Sequence, residues 1–323
     1  MLPVLSATSR SRVALGSEGR KSALNQTSAS VAVGLAAALW GTTGTVAYLL
    51  SDAVSAFLIG AITMGVGGVL LAAIAGRAAL QLWRDSAERP VVWLSAAAVV
   101  AYPLAFYSGM DLAGVAVGNI VALGTGPLVG AVFEWVLDGQ RPATAWWWAL
   151  GFGLAGVVSL SLSDTQLTSA SPEHFGWGVA LAVMAGVAYG GFSYGLSRLI
   201  RNGHRPVAAT GAVFGLGSIP LVIVAVTGVV LMPVPAGAVW GLGYLVIGPM
   251  VLSYLLYSRG LLVLPASRAL VIALIEPAVA TLLAVMVVGE RFGSLGAFGI
   301  AAIVVSVWLA SRFRSLRDNA GSA

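Results

Sequence analysis

The segment PLVGAVFEWVLDGQR at residues 127–141 decides the fold, because the chain carries it again 150 residues later as PAVATLLAVMVVGER at 277–291. Both copies open on Pro, run apolar for several helical turns and close on Gly-x-Arg. The same shift lays Tyr107 and Ser108 on Tyr257 and Ser258, and Ala116 on Ala266; a shift of 149 lays Trp40 and Gly41 on Tyr189 and Gly190. Apolar helices resemble one another by composition alone. Matching Pro, Gly-x-Arg and Tyr-Ser at one offset does not follow from apolar bias, so the chain reads as a duplication.

The surrounding sequence identifies the solvent. Of 323 residues, 59% are hydrophobic and only 9% are charged, with a mean hydropathy of +0.94. A water-soluble domain carries about 25% charged residues. This chain cannot cover itself with polar groups, so lipid must surround most of it. Ten apolar stretches are long enough to cross a bilayer: 30–50, 54–75, 91–109, 113–137, 144–162, 176–198, 207–230, 239–259, 266–288 and 294–312. Open sheet edges are excluded in hydrocarbon and the alternation of a β-barrel is absent, so these are expected to be helices. The fold class is all-α integral membrane. Five helices per copy is an odd number, so the second copy enters the membrane upside down relative to the first. The expected organisation is a polar tail (1–29), a first repeat (30–162), a linker (163–175), a second repeat (176–312) and a second tail (313–323).

Charge gives the orientation. With the N-terminus in the cytoplasm, 16 of the 17 Lys and Arg residues fall inside and only Arg291 outside, as the positive-inside rule requires. Both termini are therefore expected in the cytoplasm and the chain in the cell membrane. The net charge of +5 comes from membrane loops rather than one basic face, which argues against a nucleic-acid partner. There is no Cys, and His174 and His204 fall in loops on opposite sides, so no metal site is expected. No phosphate-binding or dinucleotide loop is present, and no cofactor or enzymatic activity is expected. The expected partners are a small-molecule substrate, the lipid bilayer and a coupling proton; a homodimer is compatible with the sequence.

These features resemble the drug/metabolite transporter superfamily, and within it the EamA-type ten-helix permeases. The likeness rests on Trp40-Gly41 in the first helix and on the repeated Pro … Gly-Glu-Arg ending, and it spans roughly residues 30–312. Gln140 departs from the pattern, where the family has Glu. The resemblance implies export of amino acids or related small metabolites, with a cavity between the two repeats. Inverted repeats of this kind bind substrate near the midplane and work by alternating access.

Ionisable groups inside hydrocarbon are costly and so are candidates for function. Glu276 stands ten residues into the ninth span, near the midplane. Pro277 after it removes a backbone donor. Its repeat partner is Gly126, so the acid is unpaired by symmetry. It reads as a proton or substrate-amine site, or as a buried carboxylate tied to a hydroxyl for packing. Glu134 lies one turn before Asp138 and either lines the inner mouth of the cavity or reaches the interface. Asn119 is the other polar group expected at mid-membrane, binding ligand or joining helices. Trp40, Tyr102, Tyr107, Tyr189, Tyr254 and Tyr257 are candidates for a cavity wall. Glu290 and Arg291 read as a helix cap or salt bridge, Arg268 is expected to snorkel to the inner interface, and Trp146, Trp147 and Trp148 read as an aromatic belt. A multidrug or cation extruder exchanging protons at a membrane carboxylate is a second transport reading. A membrane sensor without net flux is the rival from another class, though signalling has no need of duplicated halves.

Overall fold

A computed structural model describes residues 25–51, 53–163, 173–288 and 293–312. Ten helices are long and apolar enough to cross a membrane. We label them with one short helix included: α1 (Gln26–Leu50), α2 (Ala56–Ala75), the short α3 (Arg77–Arg84), α4 (Arg89–Ala113), α5 (Val115–Asp138), α6 (Thr144–Ser163), α7 (Phe175–Arg201), α8 (Pro206–Leu231), α9 (Ala236–Gly260), α10 (Ala266–Val287) and α11 (Ser294–Arg312). Every span matches one expected from the sequence. Two details differ. The first helix starts at Gln26, capped by the Asn25 side chain on the Ser28 N–H at 2.8 Å. The loop expected after α2 contains α3, which Gly76 makes possible by taking a positive φ of 55° at the corner.

Large apolar side chains stay uncovered around the bundle. Trp240 is 87% exposed, Leu94 73% and Val230 74%. In water such a surface would drive aggregation, whereas in hydrocarbon it needs no cover.

The helices pack as a two-fold pair of repeats. The spans α1, α2, α4, α5 and α6 correspond in order to α7, α8, α9, α10 and α11. Packing of α4 on α7 is answered by α9 on α1, and α5 on α7 by α10 on α1, while α2–α8 and α6–α11 are their own counterparts. The correspondence holds atom by atom. A β-carbon on Gly41 would stand 2.7 Å from the Glu276 carbonyl oxygen and 2.8 Å from Val279 Cβ; one on Gly190 would stand 2.5 Å from the Gly126 carbonyl oxygen and 2.8 Å from Val129 Cβ. Only glycine permits either approach. Between α6 and α11, Gly156 sits against the Gly299 carbonyl, and at the corresponding place Ser306 donates to the Ala149 carbonyl at 2.6 Å.

The repeated Pro … Gly motif has a local cause at each end. Gly139 closes α5 with φ 70°, its N–H returning to Trp135 O at 3.0 Å and that of Gln140 to Glu134 O at 2.9 Å. This left-handed cap favours glycine. Gly289, Glu290 and Arg291 of the second copy lie outside the described residues, as do the tails and most of the linker. The two prolines act differently. α5 runs through Pro127 without a break, whereas α10 turns at Leu274 between Ala266–Ala273 and Ile275–Leu283. The ring of Pro277 removes the N–H that would reach back to the Ala273 carbonyl.

Three expectations are corrected. Arg268 does not snorkel: it is buried, and its Nε donates to the Ala310 carbonyl on α11. Covering that carbonyl within the bundle replaces the interface as its polar surrounding. Trp146 leaves the aromatic belt, buried with its Nε1 donating to Ser267 O at 3.3 Å, while Trp147 and Trp148 remain exposed. Asn119 is not at mid-membrane. It lies in the first turn and a half of α5, seven residues before Gly126 and so roughly 10 Å from it along the axis.

Candidate aromatic and carboxylate site

The residues at the crossing of the two repeats come from five spans. α1 brings Trp40 and α7 brings Tyr189, each fixed in place by the glycine that follows it and packs on the opposing carbonyl. Trp40 and Tyr189 occupy corresponding positions in the repeats, and their rings meet edge-on at 6.4 Å. Two mated residues in contact lie astride the two-fold axis, so this pair marks the centre of the molecule. α9 adds Tyr254 and Tyr257, three residues apart on one face, with ring centroids 5.1 and 5.4 Å from Trp40. α4 adds Tyr102, 5.4 Å from Tyr189, and continues the aromatic wall through Phe106 and Tyr107. Phe192 and Phe214 back the cluster from α7 and α8.

α10 carries Glu276 into this cluster. Its carboxylate lies near the hydroxyls of Tyr102, Tyr107, Tyr189 and Tyr254. Its side chain is half-buried and makes no hydrogen bond or ion pair to any other described residue. Three further polar groups of the cluster are buried without a partner among the described residues, the Trp40 Nε1 and the hydroxyls of Tyr189 and Tyr257. Buried donors are normally satisfied, and one left unpaired costs about 1–3 kcal/mol. The site thus gathers an unpaired carboxylate and three unpaired donors within one aromatic enclosure. No group of three or more possible metal ligands occurs among the described residues.

The chain belongs to the EamA-like transporter family. The family pattern matches residues 27–162 and again 176–312, one match per repeat. The chain is 30% identical over 287 residues to the uncharacterized transporter YwfM of Bacillus subtilis strain 168, covering 87% of this chain and 93% of that one. It is 29% identical over 178 residues to an uncharacterized transporter of Archaeoglobus fulgidus, covering 55% and 60%. A crystal structure of a protein at 23% identity superposes with a TM-score of 0.72, over 93% of this chain and all of the other, a likeness of fold.

Of the residues singled out in the sequence of this EamA-like transporter, Trp40, Tyr102, Tyr107, Tyr189, Tyr254, Tyr257 and Glu276 come together. Asn119 stands apart toward the end of α5 and makes no hydrogen bond to another described residue. Glu134 lies one layer further along, buried, accepting from the Ser267 N–H at 3.2 Å and from the Ser267 hydroxyl. Phe106, Phe192 and Phe214 were not singled out. Their signal was present as aromatic spacing, Tyr102 with Phe106 four apart and Tyr189 with Phe192 three apart.

Proposed function

We propose that this EamA-family transporter is a secondary exporter of amino acids or closely related small metabolites, working by alternating access around the Trp40–Tyr189 axis. One observation carries the reading: an unpaired carboxylate and three unpaired buried donors share one aromatic enclosure at the meeting of the repeats. An amino acid complements this set. Its ammonium group would pair with Glu276 and lie against ring faces, an arrangement worth about 0.5–2 kcal/mol per aromatic contact. Its carboxylate would accept from the Trp40 N–H and the Tyr189 hydroxyl, and an apolar side chain would lie among the remaining rings. The substrate's own gradient or a proton gradient would drive flux. The direction and the cell-membrane location with cytoplasmic termini follow the family resemblance and the charge distribution.

The second reading is an extruder of organic monocations, favoured by a carboxylate set among aromatic ring faces. Counterflow in proteoliposomes separates the two. Purified chain preloaded with unlabelled amino acids should accumulate a labelled one. Uptake of a labelled quaternary ammonium ion with no counterflow of any amino acid would overturn the first reading in favour of the second. Absence of flux for both classes would favour a sensor.

A further inference from the structure

The two ends of α10 differ. All eight residues of Ala266–Ala273 are buried, whereas in Ile275–Leu283 only Pro277 and Ala278 are. The change falls at Leu274, beside Glu276. α10 is enclosed along its first segment, at the closed end of the bundle where α5 and α7 finish in basic loops, and partly exposed along its second. Among the described residues, polar contacts between the repeats collect at the closed end. Asp138 accepts from Arg201 at 2.5 Å and from the Tyr194 hydroxyl at 3.0 Å; Glu88 accepts from Asn202 at 2.8 Å and stands 3.4 Å from His204. In the other half, Thr42 and Tyr244 share one neutral hydrogen bond of 2.9 Å.

Glu134 holds a special place in this set. The first turn of α10 follows Pro265 and has no side-chain cap of its own. Free N–H groups there need an acceptor, and a negative charge is favoured at that end of a helix. Glu134 supplies both from the other repeat, accepting from the Ser267 N–H and hydroxyl. Close packing reinforces the contact, since a β-carbon on Gly130 would meet Leu270 Cδ1 at 3.1 Å and Ser267 at 3.3 Å. The two-fold counterparts of Glu134 and Ser267 are Ala284 and Val117. Neither has a polar side chain, so the opposite end cannot form the same contact.

We propose that Glu134 is the positioning residue of an inner gate, capping α10 from across the repeat interface and biasing the transporter toward the state open on the other side. This rests on the alternating-access reading. Opening the basic end then requires α10 to lose its cap. At the other end Ala284 and Val117 offer no such bond to break.

The chain has no native Cys, so accessibility of single cysteines reads the bias directly in oriented membranes, without substrate. Leu270→Cys reports the closed seam, where Leu270 is 1% exposed; Thr43→Cys reports the opposite half. Glu134→Ala should speed labelling of Leu270→Cys by an impermeant maleimide from the cytoplasmic side about tenfold or more, a factor equal to about 1.4 kcal/mol. Labelling of Thr43→Cys from outside should fall. Glu134→Gln, which keeps an acceptor for Ser267, should lie between native and Ala. If Glu134→Ala fails to fold, Ser267→Ala is read the same way. Unchanged protection of Leu270→Cys in a folded variant would overturn the gate, and so would faster labelling at both positions, the mark of a loosened bundle. A chain that labels as expected but carries no amino acid would overturn the proposed substrate and leave the gate standing.

Discussion

Gly41 touches the backbone of Glu276, so closely that a β-carbon would stand 2.7 Å from the Glu276 carbonyl oxygen. The residue that places Trp40 at the centre thus also sets the depth of the carboxylate. Adding one methyl there forces α1 and α10 apart, an overpacking cost of about 1–3 kcal/mol. Gly41→Ala should therefore lower the melting temperature in detergent and reduce flux together. Gly34→Ala on the same helix, where nothing lies within 4 Å of the added carbon, should leave both unchanged. Equal behaviour of the two variants would show that the close approach has no energetic weight.

Glu276→Gln keeps the shape of the side chain and removes its charge. With no hydrogen bond or ion pair to another described residue to lose, the variant should express and fold as native. Flux of an amine substrate should drop by a hundredfold or more, the scale expected when about 3 kcal/mol of charge-assisted hydrogen bonding is lost. Native flux in Glu276→Gln proteoliposomes would reduce the carboxylate to a packing element.

Tyr189→Phe separates binding from stability. The Tyr189 hydroxyl is buried without a partner, so its removal should leave the melting temperature unchanged or raise it. If the hydroxyl donates to the substrate carboxylate, KM should rise about tenfold, the worth of one hydrogen bond. A fall in melting temperature with KM unaltered would assign the hydroxyl to packing instead.

The orientation can be tested with the same Cys-free background. Single cysteines at Ser86 and Asn202, both exposed, should label only from the cytoplasmic side, and one at Asp111 only from outside. Thr168, in the linker at 163–175, lies outside the described residues. Labelling of Asn202 from outside would reverse the assignment.

The fold was legible because its signals are long and repeated. Ten apolar windows and one offset of about 150 residues carry the spans and their two-fold relation, and tertiary context had little left to decide. Glu276 was legible for a related reason, as a charge in an apolar window stands out. Arg268 misled because the carbonyl that receives it belongs to Ala310, 42 residues away, and no local pattern announces such a pairing. Phe192 and Phe214 were passed over because a phenylalanine in an apolar helix looks like packing until its neighbours are known. Asn119 was placed too deep because a polar residue in an apolar window draws notice wherever it sits, although its expected span of 113–137 already put it only six residues from one end. Glu134 had two readings from sequence, and choosing between them needed the position of Ser267 across the interface.

The pairing of Glu276 with Gly126 across the two-fold relation limits the ancestry of this chain. A homodimer of the first half alone would present no acid at its centre. One built from the second half alone would bring two carboxylates to equivalent places, where their mutual repulsion in a poorly solvated interior would oppose assembly. A single centred charge requires two unlike halves in a fixed ratio, and one polypeptide guarantees that ratio. Once the halves had diverged at this position, the covalent joining of the two genes could no longer be undone without either losing the charge or doubling it.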